Sequence, residues 1–138
     1  MKDKKWNKIG GTLLITFCVL LIIRGFYNAN KLKKNHALTI GKITDCRENG
    51  VGNGGTVSVD FIFTVNGEQH NGSWGSTTDR FGCIICQKYF YGKWFPAVYE
   101  PGNFQNATLL ILPSEFERYG YDFPDSQYWV LYYIKDKK

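Results

Sequence analysis

Val57-Ser58-Val59-Asp60-Phe61-Ile62-Phe63-Thr64-Val65-Asn66-Gly67 is the stretch on which the fold turns. Val57, Val59, Phe61, Phe63 and Val65 fall on one face of an extended chain, with Ser58, Asp60 and Thr64 on the other; only Ile62 breaks the alternation. A period of two with one apolar face is the pattern of a strand buried on one side. Asn66-Gly67 accepts the two positive φ angles of a type I′ turn, so the chain is expected to fold back as a hairpin through Glu68–Trp74.

Upstream, Ala37–Cys46 reads as a first strand, with a bulge expected at Gly41 where the apolar phase shifts to Ile43. Residues 47–56 between them are rich in Gly and Asn. Gly50-x-Gly52-x-x-Gly55 has the spacing of a dinucleotide loop, but that loop must open a helix whose amides hold the pyrophosphate, and here a strand follows.

Downstream, Thr78 or Asp79 is placed to cap a helix over Arg80–Tyr91, with Phe81, Ile85 and Tyr89 on one stripe and Gly92 past its end. Phe95–Glu100 and Ala107–Leu112 are short strands joined through the turn Pro101-Gly102-Asn103, Pro96 lying near a strand start where a missing donor is tolerated. Ser114-x-x-Glu117 matches a capping box, with Gly120 as its stop. Gln127–Ile134 is apolar on both alternating sets and reads as a strand covered on both faces; a helix begun by Asp125 or Ser126 is the alternative. Residues 37–135 are therefore expected to form a mainly β domain, a small antiparallel barrel or sandwich with one or two short helices, followed by a polar tail at 136–138.

Ahead of this domain, Gly10–Ile23 runs without a charge. Ile9–Tyr27 as a helix would be about 28 Å long at roughly 1.5 Å per residue, close to the roughly 30 Å of a bilayer core. Arg24 sits where its side chain can snorkel to the headgroups, and Trp6 and Tyr27 stand where interfacial aromatics anchor a span. Phe26-Tyr27-Asn28-Ala29-Asn30 is a poor cleavage site, so the run reads as an uncleaved transmembrane anchor rather than a removed signal. The expected order is a basic tail at 1–8, the anchor at 9–27, a linker at 28–36 and the β domain.

Charge supports that division. Residues 1–34 carry eight Lys and Arg against one carboxylate, Asp3, a net of +7; because the whole chain carries +5, the rest stands at −2. The basic residues flank the apolar run, where they suit anionic headgroups, and no basic footprint for nucleic acid is left on the domain. Lys2, Lys4, Lys5 and Lys8 precede the span, and Arg24, Lys31, Lys33 and Lys34 follow it. That tie leaves the positive-inside rule silent. An exported, extracytoplasmic domain on a single-pass anchor in the cell membrane is the expectation, as the usual arrangement for a short N-terminal tail.

Cys83-Ile84-Ile85-Cys86 is the sharpest chemical motif. On a helix its thiols share one face, but an exchange catalyst needs them at a helix N-terminus in a βαβ setting, which this chain lacks. Zinc would need Cys46 and either His70 or His36 as further ligands, and no second arm of characteristic spacing is present. A disulfide from Cys46 to Cys83 or Cys86, or three free thiols, are the remaining readings. Asp60, Glu68, Asp79 and Glu100 are scattered as on a solvated face, and no Ser/His/Asp grouping appears. The rich aromatic content fits a small core plus a contact surface.

Gly41-Lys42-Ile43-Thr44-Asp45, Asp60–Gly67 and Val98-Tyr99-Glu100-Pro101-Gly102-Asn103 resemble the G-x-V, F-x-V-x-G and V-x-Y-x-P-x-N-P motifs of a family of small uncharacterised bacterial membrane-anchored β-domain proteins. The likeness covers about Ala37–Leu112; Phe104 and Ala107 depart from the family's proline and small hydroxyl residue. It implies a tethered β domain and transfers no active site, leaving Tyr99, Pro101 and Asn103 as turn-shaping residues. The expected function is that of a non-enzymatic, cofactor-free module that binds a protein partner or serves a membrane complex. A thiol-redox or zinc module on Cys83 and Cys86 is the alternative.

Overall fold

The computed structural model describes residues 3–50, 54–77 and 81–134, with side chains from residue 14 onward. The chain divides into two compact units, Met1–Lys31 and Leu32–Lys138. Helix α1, Asp3–Lys34, supplies the first. Its described apolar side chains, from Leu14 through Ile23 and on to Phe26 and Tyr27, are exposed on every side of the rod, as is Arg24. Among the described residues no helix is long and apolar enough to cross a membrane. The side chains of 9–13, where the expected span begins, and of Trp6 lie outside the described residues. The separate linker expected at 28–36 is a correction: the helix continues to Lys34, because 28–34 holds Ala, Leu and Lys and no Gly or Pro to stop it.

Five strands build the second unit: β1 Ala37–Asn49, β2 Thr56–Val65, β3 Glu68–Thr77, β4 Trp94–Glu100 and β5 Asn103–Leu109. Their order is β3-β2-β1-β4-β5, with every neighbouring pair antiparallel. The outer strands β3 and β5 both run parallel to β1 and approach each other, the His70 ring stacking on Phe104 at 4.0 Å between centroids. The result is a nearly closed Greek-key barrel, with the connectivity of an OB-type barrel including the helical segment between its third and fourth strands. Asn66 and Gly67 take φ of 52° and 86°, as the Asn-Gly turn requires.

The barrel closes around Phe61. This ring, 1% exposed, lies over Gly72, its direct partner on β3, where an added Cβ would stand 2.2 Å from Cζ. On the other side a Cβ at Gly41 would stand 2.6 Å from Phe61 Cδ2 and 2.9 Å from a Leu109 methyl. Gly41 is therefore a site of close approach and not the bulge expected there. The irregularity falls between Ile43 and Asp45, where Thr44 Oγ1 donates to the Asp60 carbonyl at 3.2 Å.

Three other segments differ from the sequence reading. Helix α2 is only Cys83–Ile85 and passes into a π turn, Cys86–Phe90, marked by the Tyr91 amide donating to the Cys86 carbonyl at 2.9 Å. Phe81 is buried as expected, but the wider turn buries Cys86 and Phe90, leaving Ile85 and Tyr89 half-buried against the core. Gly82 stands at its N-cap, and the expected caps Thr78 and Asp79 lie outside the described residues. Gln127–Ile134 is not a strand: Asp125–Tyr132 is a 3-10 helix that buries Gln127 and Val130, with Ile134 buried after it. Strand β5 starts at Asn103 and ends at Leu109, short of the expected Leu112.

Side chains take over the backbone beyond Leu109. Gln127 Nε2 donates to the carbonyls of Leu110 and Ile111 at 2.9 and 3.0 Å. Glu115 Oε2 accepts from the amides of Ile111 and Leu112 at 2.7 and 2.9 Å, and Oε1 from the Trp74 indole at 2.5 Å. Glu115, at the third position of α3 (Pro113–Arg118), thus does the capping expected of Ser114 and Glu117, and Gly120 (φ 79°) ends the turn as expected. Burial pushes the Glu115 carboxyl up, against the pull of these three donors.

Glu115→Ala leaves three donors without this acceptor and is expected to cost about 2–4 kcal/mol. Urea denaturation followed by tryptophan fluorescence measures it; an unchanged midpoint contradicts the role given to Glu115.

Candidate functional site

Strand β1 delivers the first thiol. Up to Ile43 its odd-numbered residues point inward; the irregularity at Thr44 reverses the phase, so Asp45 is exposed and Cys46 is 6% exposed. One extra residue in a strand moves everything after it to the opposite face. Cys83 opens α2 and Cys86, fully buried, begins the π turn. Cys46 Sγ and Cys83 Sγ stand 2.9 Å apart, and Cys86 lies in the same buried cluster as Cys46, so three thiols from two distant segments come together. The cysteines are unbridged.

Carboxylates surround it. Asp45 Oδ1 accepts from the Cys46 amide at 2.8 Å, and Glu48 Oε2 from the Cys83 amide at 3.4 Å. Arg47 turns away to the paired strand, where it forms a close ion pair with Asp60 and a longer contact of 3.9 Å to Asp45. Burial comes first in raising the Cys46 and Cys83 thiols from 9.0 to about 12, and the nearby carboxylates push the same way. Cys86 is raised too, again chiefly by burial. An exchange catalyst needs the opposite, a thiolate held by positive charge or a helix N-terminus. Here the helix has three residues, and the carboxylates of Asp45 and Glu48 stand beside the thiols.

The histidines are not part of the cluster. His70 stacks with Phe63 and Phe104 on the closing edge, and His36 packs edge-on against Tyr119 and Tyr121. Among the described residues no group of three or more His, Cys, Asp or Glu is placed to hold a metal ion.

Tyr99 stacks on Phe63 at 5.7 Å and reaches Phe104 at the same distance. The turn itself is Pro101-Gly102, Gly102 having φ 84°, and Asn103 already begins β5. Glu100, expected among the solvated acids, is instead 2% exposed. Its Oε2 accepts from Asn106 Nδ2 at 2.8 Å and Asn103 Nδ2 at 3.4 Å. The two asparagines three and six residues beyond a strand-end carboxylate were the available signal.

An open groove of about 610 Å³ runs between β4 and the 3-10 helix, lined by Lys93, Trp94, Pro96, Pro124 and Trp129. Lys42 lies over Trp94 and Lys93 over Trp129, at 5.8 and 5.5 Å. Tyr132, 89% exposed, and Tyr128 project from the same 3-10 helix.

The raised thiols set a pH dependence. In the unfolded chain they release protons near 9.0, in the folded chain Cys46 and Cys83 near 12. Between those values the unfolded state binds fewer protons, so stability present below the lower value is lost as pH rises. The denaturation midpoint of the reduced chain is expected to fall more steeply between about pH 9 and pH 11 than that of Cys83→Ser. Identical slopes contradict it.

No protein-family model, curated protein or solved structure matches the chain.

Proposed function

We propose that the chain is a membrane-anchored, single-pass β-barrel module that acts by binding a protein partner, as a non-enzymatic accessory of a membrane complex, with its domain on the extracytoplasmic side. The observation that carries the anchoring is the exposed apolar surface of α1 from Leu14 to Tyr27. A helix apolar all round has no face to turn to water and is at rest in lipid. In the sequence the uncharged run reaches back to Gly10, and Lys and Arg flank it at both ends.

Partner binding draws support from what the barrel offers. Its interior is filled by Phe61, Phe63, Phe95 and their neighbours, while Trp94, Tyr128, Leu131 and Tyr132 are left on the outside. Exposed aromatics beside a groove are the composition of a protein-contact surface. The raised thiol pKa values weigh against a thiol-exchange catalyst, and the separate packing of the histidines weighs against a zinc module.

Alkaline carbonate extraction of membranes from cells making the full chain tests the anchor, and a fused enzyme active only outside the cytoplasm, placed after Lys138, tests the orientation. The chain is expected in the pellet with an active fusion. Release into the supernatant contradicts the anchor; an intact but silent fusion contradicts the orientation.

A further inference from the structure

The chemistry-bearing feature that partner binding does not use is the thiol cluster. We propose that Cys46 and Cys83 are a built oxidation site, forming an intramolecular disulfide on reaction with a low-molecular-weight disulfide while Cys86 stays a thiol beside the bond. The separation of 2.9 Å between the two sulfurs is closer than unbonded sulfurs pack, and a small shift brings them to the roughly 2.05 Å of a disulfide. Two thiolates sharing one zinc at about 2.3 Å each stand roughly 3.8 Å apart, so the pair is drawn in too far for a metal between them. Among the described residues, the carboxylates beside the pair, Asp45 and Glu48, accept hydrogen bonds from the Cys46 and Cys83 amides.

Exposure orders the events. Cys83 is the partly exposed sulfur, while Cys46 is 6% exposed and Cys86 fully buried. The Cys83 thiolate attacks one sulfur of the oxidant RS–SR, making a mixed disulfide and releasing RS⁻, which takes up the proton lost from Cys83. Cys46, giving its proton to solvent, then attacks Cys83 Sγ and expels the second RS⁻, which is protonated in turn. Two protein thiols are oxidised and one external disulfide is reduced to two thiols, so atoms and electrons balance. The raised thiol pKa makes uncatalysed reaction slow near neutral pH and faster as the pH rises.

The bond would join β1 to α2 across 37 positions of sequence, enclosing the whole β2–β3 hairpin. Closing a loop of that length restricts the unfolded chain, and the expected rise in melting temperature is roughly 10 °C or more.

The test uses the full chain in detergent, reduced, desalted and incubated with oxidised glutathione at mildly alkaline pH. Intact mass is expected to fall by two hydrogens, and a tryptic map is expected to link the peptide of Cys46 to that spanning 81–88. Fragmentation between Cys83 and Cys86 then assigns the sulfur. Cys86→Ala is expected to cross-link and gain thermal stability as the wild type does, and Cys83→Ala to do neither. A persistent glutathione adduct, a Cys46–Cys86 bond, a dimer through Cys18, an unchanged thiol count or stoichiometric zinc each overturns the proposal. Because the wild-type mass and map are read directly, it stays falsifiable even if a variant fails to fold.

Discussion

Everything in the second unit is arranged around one aromatic ring and the two glycines that make room for it. A five-stranded sheet closes only if its strands coil tightly, and the interior is then too narrow for large side chains on every strand. Phe61 fills the space, and Gly41 and Gly72 on the flanking strands give up theirs. The glycines weaken their strands locally, and the ring laid over them restores the lost contact. Phe63 continues the column toward the His70–Phe104 stack at the closing edge, and Phe95 toward Phe90 and Trp129 at the other end. The thiols Cys46 and Cys86 are buried in the same cluster as these rings.

The same tight coiling has a chemical by-product. A strand as long as β1 pairs with β4 in its first half and with β2 in its second, and the extra residue at Thr44 falls after the changeover. That slip exchanges Asp45 for Cys46 at the barrel wall and puts a thiol against Cys83 at the start of α2. Burial, chiefly, keeps the thiols protonated, and the carboxylate left outside pushes the same way, as Glu48 does on Cys83. A strand irregularity thus brings Cys46 to the other two thiols.

Much of the barrel was legible because β2 alternates at every position but Ile62, as one-sided burial imposes, and its Asn-Gly turn fixes the hairpin. The barrel ends were not. Gln127–Ile134 is apolar at every register, so alternation could not tell a strand from a 3-10 helix; the decision lay with Gln127, whose amide serves two carbonyls that a strand would have paired. The helix after β3 was legible in place but not in pitch, since the π turn depends on burying Phe90 against the barrel. At the site, the C-x-x-C spacing drew notice to Cys83 and Cys86, whereas the third thiol depended on a bulge one turn of pleat away from where Gly41 had placed it. Glu100 looked like an ordinary surface acid, because its donors are asparagines rather than cations.

If the ring and its glycines are what close the barrel, their energies must be coupled. The most direct measurement is a double-mutant cycle on the full chain, comparing the unfolding free energies of wild type, Gly72→Ala, Phe61→Leu and the double variant. Gly72→Ala is predicted to cost about 2 kcal/mol or more beside Phe61, where the new methyl has no room, and less than half of that in the Phe61→Leu background, where the smaller side chain leaves space for it. An equal cost in both backgrounds would show that the ring and the glycine act independently, and would contradict the account.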